Sequence, residues 1–276
     1  MRITLRMTER LEQKLKRLQR LPEHVLVDAA WLERHGYSSS LRSQYVKSGW
    51  LTQVAPRVYR RVQEPVSWQQ VVMSLQSFMG YPLTVGGRTA LEEQGFSHYL
   101  GERQEVHLYG PAKPPGWLAK LRLDVQFLWH NSARLFPDEP RDPFGPPPPS
   151  DDILPGNFMV GPQGLTWPLC LSSPERGFLE LLDELPDHES FHQVDMLAEG
   201  LVNLSPARLT LLLHQCRSVK VKRLFFFFAD RHRHAWRNRL DPAEFDLGAG
   251  KRALVPGGRL SPDYNITVPE DMLAPV

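Results

Sequence analysis

The sequence predicts an α+β protein: an N-terminal winged helix-turn-helix followed by a larger mixed α/β C-terminal domain. Two short amphipathic helix patterns near the N-terminus are joined by a Gly-containing turn, and a β-hairpin pattern follows them directly. Beyond the hairpin, strand and helix patterns are interspersed to the end of the chain. The length of 276 residues and the hydrophobic content of 41% allow one large or two ordinary domains with a buried core.

Capping residues define the helix-turn-helix. Asp28 is a favourable N-cap for the first helix, and the turn at Gly36 and Tyr37 ends that helix. Ser38 caps the second helix, and Gly49 follows it where a left-handed residue is favoured. The apolar face of the second helix comprises Leu41, Tyr45 and Val46. The wing is predicted as strands at residues 51–54 and 58–62 around a turn at 55–57.

Polar side chains on the second helix and on the wing are the candidate DNA-binding residues. Basic and small polar residues on a recognition helix reach phosphates and base edges in the major groove. The candidates are Ser38, Ser39, Ser40, Arg42, Ser43, Gln44, Lys47, Arg57, Arg60 and Arg61. Two alternatives stay open, because such a stripe is also typical of a solvated helix face and many helix-turn-helix units only hold other proteins.

The charge of the chain is distributed unevenly. Residues 1–62 contain 13 Lys and Arg against 5 Asp and Glu, a balance of +8, whereas the remainder carries 20 against 26, a balance of −6. A small module with that positive balance gains affinity for a polyanion through counterion release. An amphipathic helix at residues 4–20 contributes to it, and we expect this helix to pack on the helix-turn-helix, to pair with a second subunit, or to be a solvated extension.

The predicted domains are residues 1–66 and 67–276. The second domain opens with a helix at 67–79, a strand at 81–85 and a helix at 86–100, followed by strands at 104–109 and 122–129. Residues 137–156 contain four successive prolines and predict a long surface loop, with polyproline II at the prolines.

The C-terminal half is predicted to be mainly helical. A hairpin-like pair of strands spans 157–171, and a helix then opens with Ser172 as N-cap, Pro174 in its first turn and Glu175 completing a capping box. Further helices are predicted at 191–201, from Ser205 to about residue 216, and over most of 219–240, despite four phenylalanines there. Residues 252–255 and 264–268 predict a terminal hairpin around a Gly-Gly turn.

Several classes of function lack a signal in the sequence. The N-terminus does not resemble a signal peptide, no apolar run is long enough for a membrane span, and the two cysteines have no paired spacing, so we expect a cytoplasmic protein. His232 and His234 point to different faces of a helix, which argues against a metal site with His214 and Cys216. No catalytic motif or nucleotide-binding fingerprint occurs, so neither an enzyme nor a cofactor is predicted.

A series of motifs resembles the AbiEi family of bacterial type IV antitoxins. The motifs follow in order after residue 20: GWLTQVAPRVYR, VGGRTALEEQGFSHYL, VHLYGP, LSSPERGFLELLDELP, SFHQVDMLAEGLVNLSP, SVKVKRLFFFFADRHRHAW, DLGAGKR and YNITVP. The resemblance implies a transcriptional autorepressor whose winged helix binds inverted repeats in double-stranded DNA at its own promoter. It also implies a C-terminal domain that counters a nucleotidyltransferase-like toxin without requiring a stable complex, and in some members contributes to DNA binding.

Three other functions remain open. Without a neighbouring toxin gene, the protein would be a solitary regulator. If the helix-turn-helix grips a protein, the chain is an interaction module with no affinity for DNA even at low salt. The turn at Gly86, Gly87 and Arg88 could cradle a phosphate at a helix N-terminus, which would suit an enzyme acting on a nucleotide or RNA end, although the turn lacks the ending of a phosphate-binding loop.

Overall fold

The computed structural model describes residues 12–61, 64–96, 104–137, 157–160 and 169–273 of the chain. These residues form two compact units. The first takes its described residues from 1–82, 114–127 and 159–169, and the second takes them from 83–113, 128–158 and 170–276. The division into domains 1–66 and 67–276 follows the order of motifs along the chain, and it stays a prediction.

The first unit contains the predicted helix-turn-helix. Its helices are α1 at residues 12–19, α2 at Ala29–Arg34 and α3 at Ser39–Lys47. The Asp28 carboxylate accepts a hydrogen bond from the amide of Trp31 at 2.7 Å, and the Ser38 hydroxyl accepts one from the amide of Leu41 at 3.4 Å. Both predicted N-caps are confirmed. Gly49 has φ of 76°, which is why a glycine suits the end of α3.

The wing is a three-stranded antiparallel sheet. Its strands are β1 at Val27–Asp28, β2 at Thr52–Ala55 and β3 at Val58–Arg60, in the order β1-β3-β2. The predicted hairpin is confirmed as β2 and β3. The sequence did not indicate β1, because a two-residue strand is too short to show an alternating pattern. After the wing, Ser67 caps α4 at Trp68–Met73 with a full capping box, and the helix continues with π geometry over Ser74–Phe78.

A five-stranded sheet follows, with strand order β6-β5-β4-β8-β7. The strands are β4 at Thr84–Val85, β5 at Gln104–Gly110, β6 at Val125–Asn131, β7 at Asn157–Val160 and β8 at Leu169–Ser172. The short central strand β4 pairs antiparallel with β5 and parallel with β8. All predicted strands in this region occur, although β4 is only two residues long.

Five helices and a hairpin lie in the second unit. The helices are α5 at Gly87–Glu93, α6 at Pro174–Asp183, α7 at Phe191–Gly200, α8 at Pro206–Gln215 and α9 at Val219–His232. Every residue from 221 to 229 on α9 is buried, which is typical of a helix that crosses a core. The four phenylalanines therefore stabilise the packing of this helix, since burying each side chain contributes about 2–3 kcal/mol.

Two sequence-based expectations in this unit are wrong in detail. The N-cap of α6 is Ser173, whose hydroxyl accepts from the amide of Arg176, because Ser172 is still paired in β8. The terminal hairpin joins β9 at Arg259–Ser261 to β10 at Ile266–Val268, and Arg252 forms only an isolated bridge to Ile266. The helix predicted over most of residues 219–240 is confirmed as α9, which ends at His232 and is followed by a 3₁₀ helix at Ala235–Arg239. The predicted proline-rich loop lies outside the described residues from 138 to 156.

Candidate nucleic-acid interface

The exposed face of α3 carries half of the predicted DNA-binding residues. Leu41 and Tyr45 are buried and attach the helix to the unit. The side chains on the opposite face are exposed, namely Ser39, Ser40, Ser43, Gln44 and Lys47. Ser38 is also exposed, but its hydroxyl is used as the N-cap of α3 and lies 3.1 Å from the hydroxyl of Ser40. The face offers short polar donors and acceptors with one cation at its C-terminal end.

Arg57 is exposed at the tip of the wing. Its φ of 66° places it in the left-handed region, at the turn between β2 and β3. Its carbonyl accepts a hydrogen bond from the amide of Ala29 at 2.8 Å, which fixes the turn against the start of α2. Arg61 is different, because its guanidinium donates to the carbonyl of Leu21 at 2.6 Å and is only partly exposed.

Arg42 and Arg60 do not lie where the sequence placed them. Arg42 is only 6% exposed, and its guanidinium donates to the Tyr37 carbonyl at 2.9 Å and to the Glu33 carboxylate at 2.8 Å. Arg42 precedes Tyr45 by three residues, so the two side chains lie on the same, buried side of α3. Arg60 is 1% exposed, since it shares the inner face of β3 with Val58, two residues earlier, and burial lowers its pKa. The Arg42 guanidinium therefore bonds α3 to Tyr37 and Glu33, whereas the Arg60 guanidinium donates to the nearby carbonyl of Glu64.

The basic helix α1 packs on the helix-turn-helix. Leu18 is buried, the Lys14 ammonium donates to the carbonyl of Gly36, and the Tyr37 hydroxyl donates to the carbonyl of Lys14 at 2.9 Å. These contacts favour the first of the three alternatives predicted for this helix. The exposed cations of the module, all without an ion-pair partner among the described residues, include Lys16, Arg17, Arg20, Arg34, Lys47 and Arg57.

The glycine turn at the start of α5 has no room for a phosphate. The carboxylate of Glu180 accepts from the amide of Gly87 at 3.0 Å and from the hydroxyl of Ser172 at 2.8 Å. A Cβ atom at Gly86 would lie 2.2 Å from that carboxylate, so glycine is required by the close approach of the side chain. Because the chain supplies its own anion to this turn, the hypothesis of a nucleotide-binding enzyme loses its geometric basis.

Arg88, from the same turn, contacts a buried polar network that the sequence did not indicate. The His107 and His130 rings lie 3.0 Å apart between Nδ1 and Nε2, and His130 Nδ1 lies 2.8 Å from Glu184. Burial and the neighbouring His130 lower the pKa of His107 to about 3. Burial raises the pKa of Glu189 to about 7, although the Arg88 guanidinium lies 3.2 Å away. These residues are scattered between positions 88 and 189, so no local motif indicates them.

The described residues contain no group of three or more His, Cys, Asp and Glu side chains that could hold a metal ion. His232 lies 2.8 Å from the Asp195 carboxylate, and His234 lies 2.9 Å from the Ala198 carbonyl, so both rings have structural partners. Within the described part of the chain, no helix is both long and apolar enough to cross a membrane.

A winged helix that exposes a polar helix face and several cations, followed along the chain by a larger α/β region, is typical of transcriptional regulators. The family model for AbiEi antitoxin N-terminal domains of transcriptional regulators matches residues 11–101, and the model for AbiEi antitoxins of type IV toxin-antitoxin systems matches residues 103–269. The chain therefore belongs to the AbiEi family of antitoxin transcriptional regulators, as its motifs predicted.

A solved structure shares the fold. The crystal structure of the Rv2827c protein from Mycobacterium tuberculosis matches with a TM-score of 0.54 and 14% sequence identity, over 90% of this chain and 87% of that chain. At this identity the match shows the fold alone. No curated protein matches the chain.

Proposed function

We propose that this protein binds double-stranded DNA through α3 and the wing, and that it represses its own promoter by binding inverted repeats there. The exposed polar face of α3, flanked by cations without ion-pair partners in the described chain, carries the proposal. Such a face inserts into the major groove, where polar side chains read base edges and cations contact phosphates. Two copies of the module would be needed to read an inverted repeat.

The structure changes the set of proposed contact residues. Gln44 suits a base edge, because a carboxamide can make paired hydrogen bonds to adenine, and Lys47 suits a phosphate. The serines of the same face supply short contacts, and Arg57 contacts the backbone from the wing. Arg42 and Arg60 are not part of the proposed interface, because their guanidinium groups are buried within the module. Arg61 is held by Leu21, and Ser38 acts through its cap.

The antitoxin role belongs to the remainder of the chain. We assign it to the predicted domain 67–276, which carries the acidic charge balance and includes the helical core around α9. In keeping with the family, the proposed target is a nucleotidyltransferase-like toxin that is opposed without a stable complex. Growth rescue in cells expressing such a cognate toxin tests this assignment, and a variant lacking DNA affinity should still rescue. Failure of the wild type to restore growth would contradict the antitoxin role.

DNA binding is tested by titrating the full chain onto its upstream DNA, with a non-specific duplex as competitor. Gln44→Ala should reduce specific affinity by roughly 5- to 150-fold, the range for a lost base contact of about 1–3 kcal/mol, and leave non-specific affinity unchanged. Lys47→Ala should weaken both and lower the salt dependence. Lys251→Ala, an exposed lysine of the second unit, is the matched control. Equal affinities for all three variants and the wild type would refute the assignment of α3.

A further inference from the structure

A pocket of about 410 Å³ lies in the first unit beside the wing turn. Its walls come from the beginning of α2, from the turn at Pro56 and Arg57, and from a segment at residues 116–120. That segment includes a 3₁₀ helix at Leu118–Lys120, and Leu118 is buried, which anchors the segment in the unit. A stretch of sequence distant from the helix-turn-helix is therefore part of the surface around the wing.

Two cations line this pocket. Arg57 and Lys120 are both exposed, and neither has an ion-pair partner among the described residues. The one carboxylate in the lining belongs to Asp28, whose oxygen is held by the amide of Trp31 as the cap of α2. The lining thus has a net charge of +1, and its cationic groups are free to meet an anion.

The backbone at Arg57 gives a second reason to regard the pocket as a site. A left-handed conformation is normal for glycine or asparagine and strained for arginine. Glycine would relieve that strain at this turn. Backbone strain of this kind motivates a hypothesis of function, and the side chain of Arg57 lines the pocket.

The third wall residue, Trp117, has an unused hydrogen-bond donor. Its indole Nε1 is buried and lacks an acceptor within the part of the chain that the structure describes. Buried N–H groups in proteins nearly always have a partner. This N–H is enclosed rather than exposed to the pocket, so the contacts assigned to an anion there are those of Arg57 and Lys120.

We infer that the pocket binds a phosphodiester of the DNA backbone beside the wing, with Arg57 and Lys120 as its two cationic contacts. The inference rests on the proposed DNA-binding function and deepens it. Fork-shaped guanidinium and point-like ammonium groups both hold phosphate oxygens well. The contact fixes the position of the wing on the duplex and adds affinity without reading sequence, since phosphates carry no base information.

The test compares full-length Arg57→Gln, Lys120→Gln and the double variant with the wild type on one duplex from the upstream DNA. Arg122→Gln is the matched control, because Arg122 is exposed two residues beyond the segment and does not line the pocket. We measure affinity at several salt concentrations. Each pocket variant should lower the slope of log affinity against log salt by about 0.9, the value for one phosphate contact. The control should retain the wild-type slope, and the double variant should lose less than two contacts.

Duplexes with single methylphosphonate substitutions provide a second readout. The wild type should lose affinity when the phosphate in the pocket is neutralised. Lys120→Gln has already lost this phosphate contact, so the same methylphosphonate substitution should lower its affinity no further. The inference of one shared phosphate would be overturned if the pocket variants had the same salt slope as Arg122→Gln. It would also be overturned if the decreases in slope of the two single variants added in full in the double variant. Absence of any wild-type affinity for the duplex would instead refute the proposed function, so the two failures are distinguishable.

Discussion

Replacing Arg42 by alanine should destabilise the winged helix, in contrast to replacing Lys47 on the same helix. The Arg42 side chain is buried and donates to the carbonyl of Tyr37 and to Glu33. Truncation leaves the Tyr37 carbonyl without that donor, at a cost of about 1–3 kcal/mol, and removes the packed aliphatic stem. The bond to Glu33 adds little, because that carboxylate is half exposed and screened by water. We expect a total loss of about 2–3 kcal/mol.

Native-state hydrogen exchange measures this loss locally. Amide protection across α2 and α3 reports the free energy of opening, so 2–3 kcal/mol corresponds to a fall in protection of roughly 30- to 150-fold. Lys47→Ala, at an exposed position, should change protection by less than the equivalent of about 0.5 kcal/mol. Equal protection in the two variants would show that the buried hydrogen bonds of Arg42 do not support the module.

Three further predictions concern the second unit. The pKa of Glu189 is 4.5 in the unfolded chain and about 7 in the folded protein. As the pH rises from 4.5 to 7, the unfolded chain loses this proton while the folded protein keeps it, so the group lowers the free energy of unfolding by roughly 3 kcal/mol over that interval. The pKa of His107 is shifted down from 6.5 to about 3, so its effect has the opposite sign, and the two slopes oppose each other from pH 4.5 to 6.5. Urea unfolding of Glu189→Gln should therefore show stability rising over that interval, and a flat profile would contradict the assignment. Gly86→Ala should lower the melting temperature, because its new methyl group would overlap the Glu180 carboxylate, whereas Ala112→Gly, at an exposed position, should not. Phe226→Ala should cost about 3–5 kcal/mol in chemical denaturation, and a loss below 1 kcal/mol would show that the core around α9 collapses to fill the space.

Local signals in the sequence were sufficient wherever the interaction that forms an element is itself local. Asp28, Ser38, Ser67 and Ser205 each accept from an amide three residues ahead, so the side chain and its partner lie in one short window. At α6 the same logic failed by one residue, because pairing of β8 with a distant strand holds Ser172 and moves the cap to Ser173.

The faces of the candidate interface were harder to predict. A helical wheel identifies Gln44 and Lys47 as polar and exposed, and the structure agrees. A helical wheel does not show that an arginine beside the apolar stripe turns inward, because its orientation depends on whether the interior offers hydrogen-bond acceptors to the guanidinium. For Arg42 they do, at the carbonyl of Tyr37 and at Glu33. Alternation along β3 could have identified Arg60 as inward-facing, since Val58 shares its face.

The sequence by itself determined the winged helix, most of the helix starts, the uneven charge and the family, because these depend on short-range patterns and on the order of motifs. Only the tertiary structure decided which cations remain exposed, what fills the glycine turn, and which residues surround the wing pocket. Glu180 meets Gly87 across 93 positions, and Lys120 lines the same pocket as Arg57. Such contacts depend on how distant segments pack, and no periodicity within either segment encodes them.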